Sequence, residues 1–152
     1  MDVFRISKKA AFQPDGLGGI DYSGRWHEVG RRVVYASQSR SLAALEFLTH
    51  MSKIALISDD YVISTLFIPS NIEFDEVVIE SLGYNWTSFK NLWQTQQIGA
   101  NFLKKREKCL LKVPSAIVPN EFNLIINPLH PDFKLFKLTD NLPFSFDGGL
   151  HK

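Results

Sequence analysis

The sequence predicts an α+β domain with mixed sheets. Short β-branched and aromatic runs recur along the whole chain, only two segments have helical character, and the two kinds do not alternate strictly, as a doubly wound parallel sheet would require. A length of 152 residues fits one compact domain spanning 1–152. Val3 to Ile6 predicts a short first strand. Residues 13 to 24 hold Pro14, Gly16, Gly18, Gly19 and Gly24, the composition of a loop. Val33-Val34-Tyr35-Ala36 predicts a strand. Ser39 to Met51 predicts a helix with a serine start and an apolar stripe of Ala44, Leu45, Leu48 and Met51. Tyr61 to Ile68 predicts a strand ended by Pro69, and Val77 to Ile79 another short one. Residues 94 to 107 predict a second helix running into Lys104-Lys105-Arg106-Glu107-Lys108. Cys109 to Val113, Asn123 to Ile126 and Lys134 to Leu138 complete the strands. The strand order is not encoded in these local patterns.

Apolar residues at 45% and charged residues at 22% suffice for a core without disulfide staples. The net charge of +1 excludes a chain-wide basic field that would recruit nucleic acid. The single cysteine, Cys109, has no partner for a disulfide or a zinc site and sits in an apolar run that predicts a buried, inert thiol. No apolar run follows the first charges, so the N-terminus does not read as a signal peptide, and no stretch reaches the roughly 20 apolar residues that span a bilayer. These features predict a cytoplasmic protein without a membrane partner.

Three clusters carry candidate chemistry. Gly24-Arg25-Trp26-His27 follows the glycine-rich loop, and Arg25 offers a planar fork that fits a phosphate or a carboxylate. Neither a P-loop nor a dinucleotide fingerprint surrounds it. On the predicted helix Glu46 neighbours Leu42, Ala43 and His50 at helical spacing, in an otherwise apolar stretch. Two interpretations stand for it: a structural ion pair, for instance with Arg25, or a carboxylate facing a cavity. Tyr35 is either a core tyrosine or a ring that stacks on a flat ligand. The third cluster is Val113-Pro114-Ser115-Ala116-Ile117-Val118-Pro119, followed by Asn123 and Asn127-Pro128-Leu129-His130-Pro131. Ser115 lacks a nucleophile-elbow pattern, His130 fits a loop-ordering role, and the four histidines are scattered without metal-ligand spacing.

In order along the chain, Phe4-Arg5-Ile6, Ser23-Gly24-Arg25-Trp26 with Gly30, Val33-Val34-Tyr35-Ala36-Ser37, Leu42-Ala43-Ala44-Leu45-Glu46 with His50, Gln97-Ile98-Gly99, and the two proline-flanked segments above resemble the RES domain. That family forms the toxin half of bacterial toxin–antitoxin pairs whose antitoxin has an Xre-like region. The resemblance implies a fold similar to ADP-ribosyltransferases and cleavage of the nicotinamide–ribose bond of NAD, with water, phosphate or a protein as acceptor. NAD is then a consumed substrate, with no other cofactor and no metal. Arg25, Glu46 and Tyr35 take the catalytic positions, and Ser115 and Ser37 join Arg25 and Tyr35 in binding substrate. Ser23 and His27 depart from the family's usual glycine and asparagine. Asp147-Gly148-Gly149-Leu150 lacks the arginine expected near the C-terminus, which bears on phosphate binding or acceptor choice.

The implied chemistry is an oxocarbenium-like transition state with positive charge on the ribose, which a carboxylate at Glu46 would stabilise. Two rivals come from other classes. Arg25, Trp26, His27, Arg31 and Arg32 mix cations and rings as RNA-binding or RNA-cleaving sites do. A Phe-rich tail of Phe133, Phe136, Phe144 and Phe146 would suit a non-catalytic interaction module.

Overall fold

The computed structural model describes residues 1–51 and 60–146. Among these residues, seven strands form one mixed sheet in the order β4-β5-β6-β2-β1-β3-β7. The strands are β1 (Asp2–Lys8), β2 (Val34–Ser37), β3 (Tyr61–Phe67), β4 (Phe74–Glu76), β5 (Leu110–Pro114), β6 (Phe122–Ile126) and β7 (Lys137–Phe144). The β4–β5 pair is parallel and every other pair is antiparallel. Among the described residues three α-helices accompany them: α1 (Gly18–Asp21), α2 (Arg40–Thr49) and α3 (Trp93–Lys105). The expected α+β class with a mixed sheet is what the chain adopts.

Alternation along the strands gives the sheet two buried faces. Val34, Ala36, Leu110, Leu124 and Ile126 join Val3 and Leu66 in one core cluster. Leu111, Val113 and Ile125 pack on the other face with Phe102 and Leu103 of α3. On that second face, Ala44 and Phe47 of α2 cover Ile6, Tyr61 and Ile63. Each fully buried aliphatic side chain in these layers contributes about 1.5–3 kcal/mol. Tyr35 and Ser37 alternate with Val34 and Ala36, so they lie on the helix-covered face.

The sheet is nearly divided in two. Strand β1 pairs with β3 at seven positions from Asp2↔Phe67 to Lys8↔Tyr61. It meets β2 at the single pair Phe4↔Ser37. Beyond that pair β1 and β2 diverge, and the cleft between them faces α2 and the Gly24–His27 segment.

Several boundaries differ from expectation for identifiable reasons. The loop over 13–24 contains the one-turn helix α1. The strand expected at Val77–Ile79 lies at Phe74–Glu76, because pairing with β5 sets its register; Val77 donates the last ladder bond to the Lys112 carbonyl, and a 3₁₀ turn occupies Ile79–Ser81. The strand expected at Lys134–Leu138 begins only at Lys137. His130 Nδ1 accepts the Asp132 amide and Pro131 opens a 3₁₀ turn over Pro131–Leu135, which swings Phe133 and Phe136 onto the core. In α2, Ser39 caps the first turn by accepting the Leu42 amide at 3.1 Å, an interaction worth about 1 kcal/mol. The helix buries Leu42 and Ala43 and leaves Leu45 42% exposed, so the expected stripe is rotated by about one residue. That rotation turns Glu46, three and four residues from Ala43 and Leu42, toward the sheet.

Candidate functional site

A tight turn carries Arg25. The Gly24 amide donates to the His27 carbonyl at 3.0 Å, and the intervening Trp26 is only 3% exposed. Trp26 packs beside Trp86, ring centroids 6.3 Å apart. Helix α3 clamps the turn from behind: Thr95 Oγ1 donates to the Arg25 carbonyl at 2.6 Å and Gln96 Nε2 to the Gly24 carbonyl at 3.0 Å. Gly24 is required sterically, since a Cβ there would stand 2.7 Å from the Tyr35 hydroxyl. So fixed, Arg25 donates to the Trp86 carbonyl at 2.9 Å and lays its guanidinium over the Phe89 ring at 4.8 Å. Burial lowers its pKa, with Glu46 and then Tyr35 opposing that shift, and a guanidinium keeps its charge in such a setting.

Tyr35 is tied down at its hydroxyl. It accepts the Trp26 amide at 3.2 Å and lies 2.7 Å from His27 Nδ1. His27 Nε2 lies 2.7 Å from the Tyr22 carbonyl, which can only accept, so Nε2 carries the proton and neutral Nδ1 accepts from Tyr35. Burial pushes the phenol well above its ordinary range, so Tyr35 stays protonated. His27, 4% exposed, has its pKa lowered by desolvation, with the backbone contacts to Tyr22 and Gly19 opposing. The native state therefore binds fewer protons than the unfolded chain below the ordinary histidine pKa of 6.5. The stability linked to this group is complete above that pH and is lost as pH falls through the lower native value. The expected result is that the wild-type unfolding temperature drops relative to that of His27→Asn as pH is lowered from 6.5 to 5. A difference between the two proteins that stays constant over that interval contradicts the assignment.

Glu46 reaches across from α2 to the ends of β5 and β6. Its Oε1 accepts from Ser115 Oγ at 2.9 Å and from Asn123 Nδ2 at 2.6 Å. Ser115 follows Leu111 and Val113 at two-residue steps, which brings it to the same face just past the strand end. Its hydroxyl also accepts the amides of Ile117 and Val118 at 3.1 and 3.0 Å, so its capacity is filled. Ser37 lies in register with Asn123 and donates to its Oδ1 at 2.6 Å. No ion pair within 4.0 Å joins Glu46 to Arg25 among the described residues, so the structural pairing open at the sequence level is not formed.

Arg25, Tyr35, Ser37 and Glu46 all line one cavity of about 720 Å³ in the β1–β2 cleft; Ser115 lies behind Glu46 and does not line it. The cavity wall also includes Arg5, whose guanidinium donates to the Phe12 and Gln13 carbonyls at 3.1 and 3.3 Å. His50 is exposed and meets Phe89 edge-on, rather than bonding Glu46. No three His, Cys, Asp or Glu side chains gather to hold a metal among the described residues. No helix among them is long and apolar enough to cross a membrane. Cys109 is buried and its thiol pKa is pushed up to about 12, mainly by burial.

The arrangement invites comparison with known proteins, and the RES domain profile matches residues 2–147. This chain belongs to the RES domain family. A protein named Toxin Res from Photorhabdus laumondii is 38% identical over 155 residues, covering 100% of this chain and 98% of that protein. A protein named Prs ADP-ribosylating toxin from a Sphingobium species is 36% identical over 140 residues, covering 88% and 86%. In three dimensions the fold is shared with a chain of the M. tuberculosis MbcT–MbcA toxin–antitoxin complex, at a TM-score of 0.76 and 13% identity over 95% of this chain and 84% of that one.

Within this RES domain the structure brings Arg25, Tyr35, Ser37, Glu46 and Ser115 together. The site also holds Arg5, His27, Phe89 and Asn123, to which the sequence assigned no catalytic or substrate-binding role. His27, part of the Gly24–His27 cluster and a departure from the family's usual asparagine, accepts the Tyr35 hydroxyl. Trp26 and His27, the rings of the RNA-site interpretation, are 3% and 4% exposed and also border the cavity. The Phe-rich tail packs inward, Phe133 and Phe136 on one core cluster and Phe144 and Phe146 on another. The C-terminal Asp147–Leu150 segment, with its missing arginine, lies outside the described residues.

Proposed function

We propose that this RES domain is the toxin of a bacterial toxin–antitoxin pair and that it consumes NAD by breaking the nicotinamide–ribose bond. The observation that carries this is the convergence of Arg25, Tyr35 and Glu46 on one cavity, with Glu46 held by neutral donors and no cation within 4.0 Å among the described residues. A carboxylate so held keeps its charge available for a cationic transition state. The toxin names of two relatives and the toxin–antitoxin assembly sharing the fold support the same reading. The partner is then a cognate Xre-like antitoxin, and the setting is the cytoplasm, where NAD is abundant.

In this mechanism nicotinamide leaves as a neutral base and positive charge builds on the ribose, as in other glycosyl transfers. Glu46 stabilises that charge. Arg25 grips the pyrophosphate or ribose side with its fork, and the Tyr35 ring packs against nicotinamide. Ser115 serves by holding Glu46, since its hydroxyl has no free capacity for a ribose. The acceptor is water, phosphate or a protein, and the name of the Sphingobium relative favours testing a protein acceptor beside the other two.

The deciding experiment follows nicotinamide release from NAD by the purified protein, with and without phosphate. Arg25→Lys is expected to lower kcat/KM by about 10–100-fold, the equivalent of about 1.5–3 kcal/mol for a lost charged hydrogen bond. Absence of nicotinamide release from the wild type, coupled with RNA binding that weakens steeply with salt, would replace this function by the RNA-directed one.

A further inference from the structure

The hydrogen bonds around Glu46 run in one direction. Ser115 Oγ accepts two backbone amides, so its own proton goes to Glu46 Oε1. The Ser37 hydroxyl donates to Asn123 Oδ1 at 2.6 Å, and the Asn123 amide donates onward to the same Oε1 at 2.6 Å. The reverse setting of the Asn123 amide would put its carbonyl oxygen against a carboxylate oxygen, which has no proton to give. Ser37 and Asn123 are both buried and face each other in register across β2 and β6, so sheet geometry fixes the pair. Both side-chain donors end on Oε1, and Oε2 receives none among the described residues.

We infer that Asn123 is a positioning residue: locked by Ser37, it immobilises Oε1 of Glu46 and leaves Oε2 as the oxygen presented to the substrate ribose. The inference rests on the proposed NAD cleavage by Glu46. It also gives Ser37 a duty different from direct substrate contact. Ser37 holds the amide that holds the carboxylate.

The test is Asn123→Asp, which keeps the shape but exchanges the amide donor for a carboxyl. Two carboxyl groups this close share a proton. While the introduced carboxyl is protonated it donates to Glu46 as the amide does, and once it ionises it repels Glu46. The ratio of variant to wild-type kcat is therefore expected to fall at least about tenfold between pH 5.5 and 8.5. A merely structural role for Asn123 lowers kcat by a factor that does not change with pH, and that result overturns the inference. In parallel, Ser37→Ala is expected to lower kcat several-fold with KM unchanged; a raised KM with unchanged kcat would return Ser37 to substrate binding. Unfolding supplies an arm independent of NAD. A proton shared in the native pair makes the variant less stable, relative to wild type, as pH rises from 5 to 8, and adding Glu46→Gln removes that dependence. If no protein releases nicotinamide but this pH dependence appears, the NAD mechanism fails and the Ser37–Asn123–Glu46 lock stands. If the dependence is absent, the lock itself is wrong.

Discussion

Replacing Glu46 by glutamine should reduce NAD cleavage by at least about 100- to 1,000-fold while leaving the protein folded. Glutamine matches glutamate in size, and an amide oxygen at the Oε1 position still accepts the Ser115 hydroxyl and the Asn123 amide. The half-buried α2 face is undisturbed, and the unfolding temperature is expected to stay close to that of the wild type. What disappears is a full negative charge beside the ribose at the moment positive charge develops there. Losing one preorganised electrostatic partner costs about 3–4 kcal/mol in the transition state, which sets the expected factor. Because the interaction is stronger in the transition state than in bound NAD, the loss should appear in kcat, with KM little changed. Nicotinamide release measured on both proteins, with circular dichroism as the folding control, decides the point. A folded Glu46→Gln protein with wild-type kcat would remove Glu46 from the chemistry and with it the proposed NAD mechanism.

The parts of this site that are legible in the sequence are those with a local signature. The Ser39 cap predicts the start of the helix, and the spacing of Leu42, Ala43 and Glu46 sets a carboxylate among apolar neighbours, although the stripe expected at Ala44, Leu45, Leu48 and Met51 is rotated in the structure. The ordered motifs mark Arg25, Tyr35 and Ser115. What stays hidden depends on residues far apart in the chain. Glu46 meets Ser115 and Asn123 across 69 and 77 residues, and no periodicity encodes such a meeting. Asn123 is one polar residue in a β-branched strand, with nothing local to distinguish it from a turn-facing amide. The same holds for the sheet. Each strand has its own apolar signature, but the single Phe4↔Ser37 pair that opens the cleft is a matter of strand order and register. Where the expected strands are misplaced, at Val77–Ile79 and Lys134–Leu138, pairing partners and a proline turn override local propensity.

Gly99→Ala should cost stability and activity together, although alanine is the better helix former. In an open helix the exchange gains about 1 kcal/mol. Gly99 is not in the open: a Cβ there would collide with the Trp26 carbonyl oxygen and stand 2.7 Å from its carbonyl carbon. Neither wall can give way. On one side is the backbone of α3; on the other is a turn whose Trp26 side chain is buried, whose Arg25 and Gly24 carbonyls are bonded to Thr95 and Gln96, and whose Trp26 amide is bonded to Tyr35. Overpacking against backbone reaches about 3 kcal/mol or more. It outweighs the propensity gain and leaves a net loss of about 2 kcal/mol, or roughly 4–8 °C in unfolding temperature for a domain of this size. Relief by sliding α3 away from the turn would move Arg25 with it, so kcat/KM should fall even in molecules that remain folded. Gly18→Ala is the matched control, because a Cβ at Gly18 meets nothing within 4 Å. It should leave the unfolding temperature near wild type; Gly18 borders the cavity, so activity is compared with the wild type. Thermal unfolding and nicotinamide release separate the outcomes: a Gly99→Ala protein as stable as Gly18→Ala and as active as the wild type would mean that α3 does not clamp the arginine turn.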